Sequence, residues 1–248
     1  MSQKIVLDLC CKAGGMSVGF VRAGLLVIGV DIEPQPNYPY KFFQHEGLAF
    51  LDKYGKDFDL ISVSPPCQKY SKSAKQWRKE GKQYPDLIAN FRELLIKTKK
   101  PYIIENVPGA PLINPIFLNG AMFGLFVHRP RFFECNFSVI QPAMPDVPRP
   151  VKMGRPVKEG DYIQPVGHFS GVAYARKQMQ IDWMTIAELA QAIPPAYSEY
   201  IAKQWLINSA LLSNTTCSRQ GESSRNNSLF STENNPVSSD GTSPAPCG

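Results

Sequence analysis

Cys67 stands in Ser64-Pro65-Pro66-Cys67-Gln68, directly after the apolar run Phe58-Asp59-Leu60-Ile61-Ser62-Val63. A thiolate is a ready nucleophile, and its ionisation responds strongly to local charge. Most lone cysteines are instead small buried hydrophobes. What sets Cys67 apart is the pair of prolines before it. A run of aliphatic and β-branched residues stopped by Pro-Pro predicts a buried strand that ends abruptly. Open α/β sheets hold their ligands at the carboxyl ends of such strands. A second residue of this kind is Asp31, which closes the run Leu26-Val27-Ile28-Gly29-Val30 and is placed to accept hydrogen bonds from ribose hydroxyls. Gly14, Gly15 and Gly19 follow the run Ile5-Val6-Leu7-Asp8-Leu9. They lack the dinucleotide spacing, but glycines there let a ligand approach the backbone at a helix N-terminus. The three features together describe a nucleoside-bearing cofactor laid over a parallel sheet.

The elements that must position these residues alternate in type. Strands are predicted at 5–9, 26–30, 58–63 and 102–104, and helices from the glycine turn to about Ala23, over 48–54 and over 87–97. That alternation predicts an α/β fold with a mostly parallel sheet and helices on both faces. From Ser138 to about Asp182 the texture changes, with Pro142, Pro145, Pro148, Pro150, Pro156 and Pro165 breaking regular structure. A small lobe is expected there. Helical pattern returns at 185–189 and from about Tyr197 to Leu206. From Ser213 to Gly248 the chain is mostly Ser, Thr, Asn, Gly and Pro, and a disordered tail is expected. The expected organisation is therefore a core over 1–137, the lobe over 138–182, a returning part of the core over 183–212 and the tail over 213–248.

The 248 residues are 43% hydrophobic, enough for one substantial core. No apolar stretch approaches the ~20 residues needed to span a bilayer. Met1-Ser2-Gln3-Lys4 leads straight into a strand, so no signal peptide and no membrane association are expected. Six cysteines without repeated spacing and three histidines argue against a zinc module, any other metal site or a disulfide scaffold; the reducing cytoplasm is expected. The net charge of +6 is concentrated. Lys69, Lys72, Lys75, Arg78, Lys79 and Lys82 face a single acid, Glu80, and are interleaved with Tyr70, Trp77 and Tyr84. Beside a candidate nucleophile, that composition suits a phosphate-contacting loop better than a merely solvated face.

Five segments, in order, carry a resemblance to a known family. Asp8-Leu9-Cys10-Cys11-Lys12-Ala13-Gly14-Gly15-Met16-Ser17-Val18-Gly19-Phe20 resembles the cofactor motif of the DNA cytosine-C5 methyltransferases. Ser64-Pro65-Pro66-Cys67-Gln68 resembles their nucleophile motif, and Glu105-Asn106-Val107 their Glu-Asn-Val motif. Arg129-Pro130-Arg131 resembles the paired arginines, and Ala192-Ile193-Pro194-Pro195 the closing motif. The resemblance implies a Rossmann-like methyltransferase fold, S-adenosylmethionine as cofactor and double-stranded DNA as substrate. It implies that Cys67 adds to C6 of a flipped cytosine, that Glu105 holds the N3/N4 edge, and that Arg131, with Arg129, orients Glu105 and contacts the base carbonyl. It assigns Asp8, Leu9, Gly14, Gly15, Asp31, Ile32, Glu46, Gly47 and Pro65 to the cofactor; the charge of the basic loop makes Gln68, Ser71, Lys72, Lys75 and Lys79 the candidate nucleic-acid contacts. Cys10 stands where the family usually has an aromatic, Val127 where it has Gln, and Gln191 where it has Asn.

The region left to read bases, 138–182, is far shorter than usual, and Arg155, Lys158, His168 and Arg176 are its candidate readers. Few contacts imply a target of about two to four base pairs. The leading expectation is a short, monomeric bacterial or bacteriophage-type enzyme, cytoplasmic, of the restriction-modification kind, with no obligate protein partner. One rival is a cytosine methyltransferase acting on RNA or a free pyrimidine nucleotide. The other is a catalytically silent DNA-binding relative.

Overall fold

The computed structural model describes residues 3–71, 75–152 and 154–226. Seven strands form one sheet: β1 Ile5–Leu9, β2 Leu26–Asp31, β3 Lys41–Gln44, β4 Leu60–Val63, β5 Tyr102–Asn106, β6 Ile116–Leu118 and β7 Arg131–Cys135. Their spatial order is β3-β2-β1-β4-β5-β7-β6. The first five are parallel, whereas β7 runs antiparallel to both β5 and β6. The helices are α1 Gly15–Arg22, α2 Gly47–Tyr54, α3 Lys75–Lys79, α4 Ile88–Thr98, α5 Val172–Met179, α6 Ile186–Gln191 and α7 Pro195–Asn226.

Both faces of the sheet are covered at its centre, which explains why β1, β2, β4 and β5 are nearly continuous apolar runs. Val6, Leu60, Ile103 and Phe133 pack with Phe20 of α1 and Tyr197, Ile201 and Trp205 of α7. On the opposite face Leu7, Leu9, Ile61 and Ile104 pack with Phe50 and Leu51 of α2 and Phe91 and Leu95 of α4. The chain builds outward from β1 to β3, then crosses to begin again at β4 on the other side of β1. That reversal opens a crevice at the carboxyl ends of β1 and β4.

Packing within the chain requires glycine at positions 15 and 19. A Cβ on Gly15 would lie 2.5 Å from the Ile193 carbonyl oxygen, and one on Gly19 would lie 2.1 Å from both Pro195 O and Ser198 Oγ. The glycines bring α1 against the start of α7, and Ser198 Oγ donates to Met16 O across that contact. Thr185 and Glu188 cap α6 reciprocally.

Within the stretch expected as a small lobe, Ile163, Ala175, Met179 and Ile181 pack with Ala13, Leu189 and Ala192. From Ser138 to Pro150 the chain has no regular structure and is largely exposed. It is tethered at both ends. Tyr200 OH donates to Ile140 O, the edge-strand N–H of Phe117 donates to Gln141 Oε1, and Val151 N donates to Tyr162 O.

Residues up to Leu206 form one compact unit, and a second begins at Ile207. The sequence reading ends the last helix near Leu206, but α7 continues to Asn226 and so enters the stretch expected as a tail. No proline occurs between Pro195 and Pro236, and Ser, Thr and Asn are weak helix formers rather than breakers. Residues 227–248 of the expected tail lie outside the described residues.

Candidate functional site

A cleft of about 1140 Å³ opens at the carboxyl ends of β1, β2, β4 and β5. Cys67 lies on its wall in a turn whose Cys67 carbonyl accepts from Tyr70 N at 3.0 Å and Ser71 N at 2.9 Å. The turn is pinned to both neighbouring strands. Ser64 N donates to Leu9 O at the end of β1, and buried Asn106 at the end of β5 donates from Nδ2 to Pro65 O at 3.1 Å. Asn106 Oδ1 also accepts from Val107 N. Opposite-running β7 brings Arg131 to the same end of the sheet as Glu105, and Arg131 Nε lies 2.9 Å from Glu105 Oε1. Burial raises the Glu105 carboxyl above its ordinary value, against the opposing pull of Arg131, Ser64 and Arg129. Burial, with the nearby Glu105 charge, also raises the Cys67 thiol, against Arg131 and Arg129. The resting side chain at neutral pH is therefore the thiol, and forming the thiolate requires a change in its surroundings.

Arg129 is only 2% exposed, and burial pushes its guanidinium down to about 9. Its Nη1 donates to Pro165 O at 3.0 Å, while its backbone donates to Asn119 Oδ1 and accepts from Tyr197 OH. Glu105 is thus gripped by Arg131, and the hydrogen bond of Arg129 secures the segment that carries Gln164, Val166, Gly167 and His168 onto the cleft wall.

Asp8, also on the cleft lining, is 1% exposed, and burial raises its carboxyl to about 7, against the hydroxyls of Ser17 and Ser62. Ser17 Oγ donates to Asp8 Oδ2 and receives Tyr38 OH at 2.8 Å, whereas Asp8 Oδ1 is buried with no hydrogen-bond partner among the described residues. An orphaned acceptor on a cleft wall suits a ligand that brings a donor. Asp31 is nearby and buried, accepting from the backbone of Lys12 and Glu33 at 3.1 Å each. Ile32 is 65% exposed on the rim. Gly15, Glu46, Gly47 and Pro65 line the cleft, but both Glu46 oxygens cap α2 by accepting from Leu48 N and Ala49 N. Leu9 and Gly14 do not line it: Leu9 is core, and Gly14 supplies the φ of 84° that turns the chain into α1.

In the basic loop Gln68 and Ser71 line the cleft, and Arg78 donates to both of their carbonyls. Lys69 pairs with Asp86 at 2.9 Å. Lys75 and Lys79 are exposed on α3, away from the cleft lining, and Lys72 lies outside the described residues. Of the four candidate readers, His168 lines the cleft, Arg155 and Lys158 are exposed elsewhere, and Arg176 Nη2 is turned onto Met184 O at 2.7 Å.

The sequence reading did not select Asn106, Asn119, His128, Gln164 or Met184. Asn106 was visible within Glu-Asn-Val; the others had no local signal. Among the described residues no group of three or more His, Cys, Asp and Glu side chains could hold a metal ion, and no helix is long and apolar enough to cross a membrane.

Residues 5–113 match the family model described as C-5 cytosine-specific DNA methylase. The type II methyltransferase M.NgoMIV of Neisseria gonorrhoeae is 29% identical over 123 residues, covering 46% of this chain and 38% of that protein. M.HgiGI of Herpetosiphon aurantiacus, also a type II methyltransferase, is 28% identical over 120 residues, covering 43% of this chain and 92% of the relative. The chain thus matches well under half the length of some curated relatives and nearly all of another. The structure of the S. pombe Dnmt2 methyltransferase superposes with a TM-score of 0.55 at 12% identity, covering 84% of this chain and 99% of that one. The seven-stranded methyltransferase fold is shared at that level.

Proposed function

We propose that the protein transfers a methyl group from S-adenosylmethionine to C5 of cytosine in DNA through a covalent Cys67 adduct, as the match of residues 5–113 to the C-5 cytosine-specific DNA methylase model supports. The observation that carries this reading is the convergence of Cys67 and the buried Glu105–Arg131 pair on one cleft. The description of the matching family model as a DNA methylase favours DNA as the polymer, and a cytosine in a duplex must leave the stack to reach a group set this deep.

The electrostatics couple docking to activation. Glu105 is held above the ordinary carboxyl value, so it can share a proton with N3 of the base. While Glu105 carries that proton it lacks the negative charge that helps keep Cys67 protonated, and Arg131 and Arg129 favour release of the thiol proton to solvent. The thiolate adds to C6, the C5–C6 electron pair becomes available at C5, and the proton at N3 accommodates the charge. S-adenosylmethionine, when bound, supplies the electrophilic methyl group; Asp8 and Asp31 would hold it. Once C5 carries the methyl group, solvent water takes the C5 proton, its electron pair returns to the C5–C6 bond, the N3 proton goes back to Glu105 and Cys67 leaves as the thiolate. Arg131 keeps Glu105 aligned throughout, and Asn106 keeps the Cys67 turn in place.

Duplex DNA carrying 5-fluorocytosine tests this, since that base cannot lose its C5 substituent as a proton. A denaturant-stable protein–DNA complex dependent on S-adenosylmethionine is expected. Cys67→Ala should abolish both the complex and transfer of labelled methyl to ordinary DNA. Wild-type turnover by Cys67→Ala would overturn the reading.

A further inference from the structure

His128 is half-buried on the cleft wall, and no step above uses it. Its surroundings define its ring. Asn119 is buried, and its Oδ1 accepts from Arg129 N at 3.1 Å and from Tyr162 OH at 3.1 Å. A backbone N–H can only donate, so the amide oxygen must face it and the amide orientation is not free to reverse. Asn119 Nδ2 is then the group that faces His128 Nδ1, at 3.4 Å. Since Nδ2 can only donate, Nδ1 must be the unprotonated nitrogen. The imidazole proton is therefore on Nε2, which makes no hydrogen bond among the described residues. Two further contacts hold the ring: His128 N donates to Ile163 O at 2.7 Å, and Tyr162 packs edge-on at 5.8 Å between centroids. Burial also lowers the imidazole below its ordinary value, which keeps it neutral at neutral pH.

We infer that His128 is a hydrogen-bond donor of fixed tautomer, set on the cleft wall to hold an acceptor oxygen of the substrate nucleotide through Nε2–H. The assignment of substrate rests on the function proposed above; the tautomer does not. A donor with its other nitrogen already engaged cannot serve as the base that takes the C5 proton. Its work is binding and orientation. The acceptor is either a phosphate oxygen flanking the target cytosine or an oxygen of the nucleoside itself.

The tautomer is tested on the ligand-free protein by long-range proton–nitrogen correlation spectra of histidine-labelled chain, with His128→Gln assigning the ring among the three histidines. An unprotonated Nδ1 and a protonated Nε2 are expected. A protonated Nδ1, or the averaged signals of a free imidazole, would overturn the inference whether or not the protein methylates DNA.

Kinetics test the role. His128→Leu should weaken kcat/KM about tenfold, chiefly through KM, as expected for loss of one binding hydrogen bond. His128→Gln, which can place an amide N–H near the position of Nε2, should stay within about threefold of wild type. Melting temperatures of the two variants control for structural damage. A His128→Leu variant with wild-type kinetics, or a folded His128→Gln variant no better than it, would overturn the role. If a methylphosphonate beside the target cytosine costs wild type more than His128→Leu, the acceptor is phosphate; equal penalties assign it to the nucleoside. A wild-type chain that methylates no DNA would defeat the proposed function and leave the tautomer result standing.

Discussion

Asp8 sets a cost of folding against its proposed role in holding a ligand. Its carboxyl is raised from 3.8 to about 7 by burial, so the folded protein holds the proton more tightly than the unfolded chain does. Below pH 3.8 both states are protonated and the group costs nothing. The cost grows between 3.8 and about 7 and is complete above that. Asp8→Asn, which mimics the neutral form, should therefore stabilise the ligand-free protein at pH 8 and do much less at pH 5. Thermal melts at the two pH values check this, and a gain larger at pH 5 would contradict it. The same substitution should weaken S-adenosylmethionine binding, because it removes the orphaned acceptor's charge. At this scale Cys67, Glu105, Arg131 and Asp31 were legible because strand ends and short motifs mark them. Arg129 was legible as a site residue but not as an anchor, since its partner, Pro165 O, lies 36 residues away in the chain.

The elements were legible where hydrophobic period and length agreed. The core strands β1, β2, β4 and β5, together with α2, α4 and α6, fall close to their expected positions. The misses have physical causes. β6 is three residues long, β3 is an exposed edge, and β7 flanks its two aromatics with Arg131 and Glu134, so none presents a long apolar run. The glycines after β1 show a different limit: composition indicated close approach but not of what, and at Gly15 and Gly19 the approaching group is the chain itself. For the basic loop, the structure separates lysines and arginines that composition had merged. Lys69 is paired with Asp86 and Arg78 is engaged by the loop's own carbonyls, whereas Lys75 and Lys79 are exposed on α3. Replacing Lys75 and Lys79 with Gln should lower the salt dependence of DNA binding by up to about two units of slope. Binding measured across a salt series decides it, with an unchanged slope assigning both lysines to a solvated face.

For the whole molecule, the compact unit closes at Leu206, and Trp205 is the last residue of α7 in its core. Truncation after Leu212 should leave the melting temperature unchanged and methylation within about twofold, as expected where no core is removed. A loss of several degrees would show that the removed segment supports the fold. The extended segment from Ser138 to Pro150 bears on a different question. Gln141 satisfies the outer edge of the sheet at one end, and Val151 is fastened to Tyr162 at the other. Between Pro142 and Pro148 the backbone is exposed and belongs to no element. Length can be added there without disturbing either fastening, because lengthening an exposed loop costs little entropy. The segment is thus a natural graft point, where a borrowed DNA-reading module could lengthen the target while the chemistry in the cleft stays as it is.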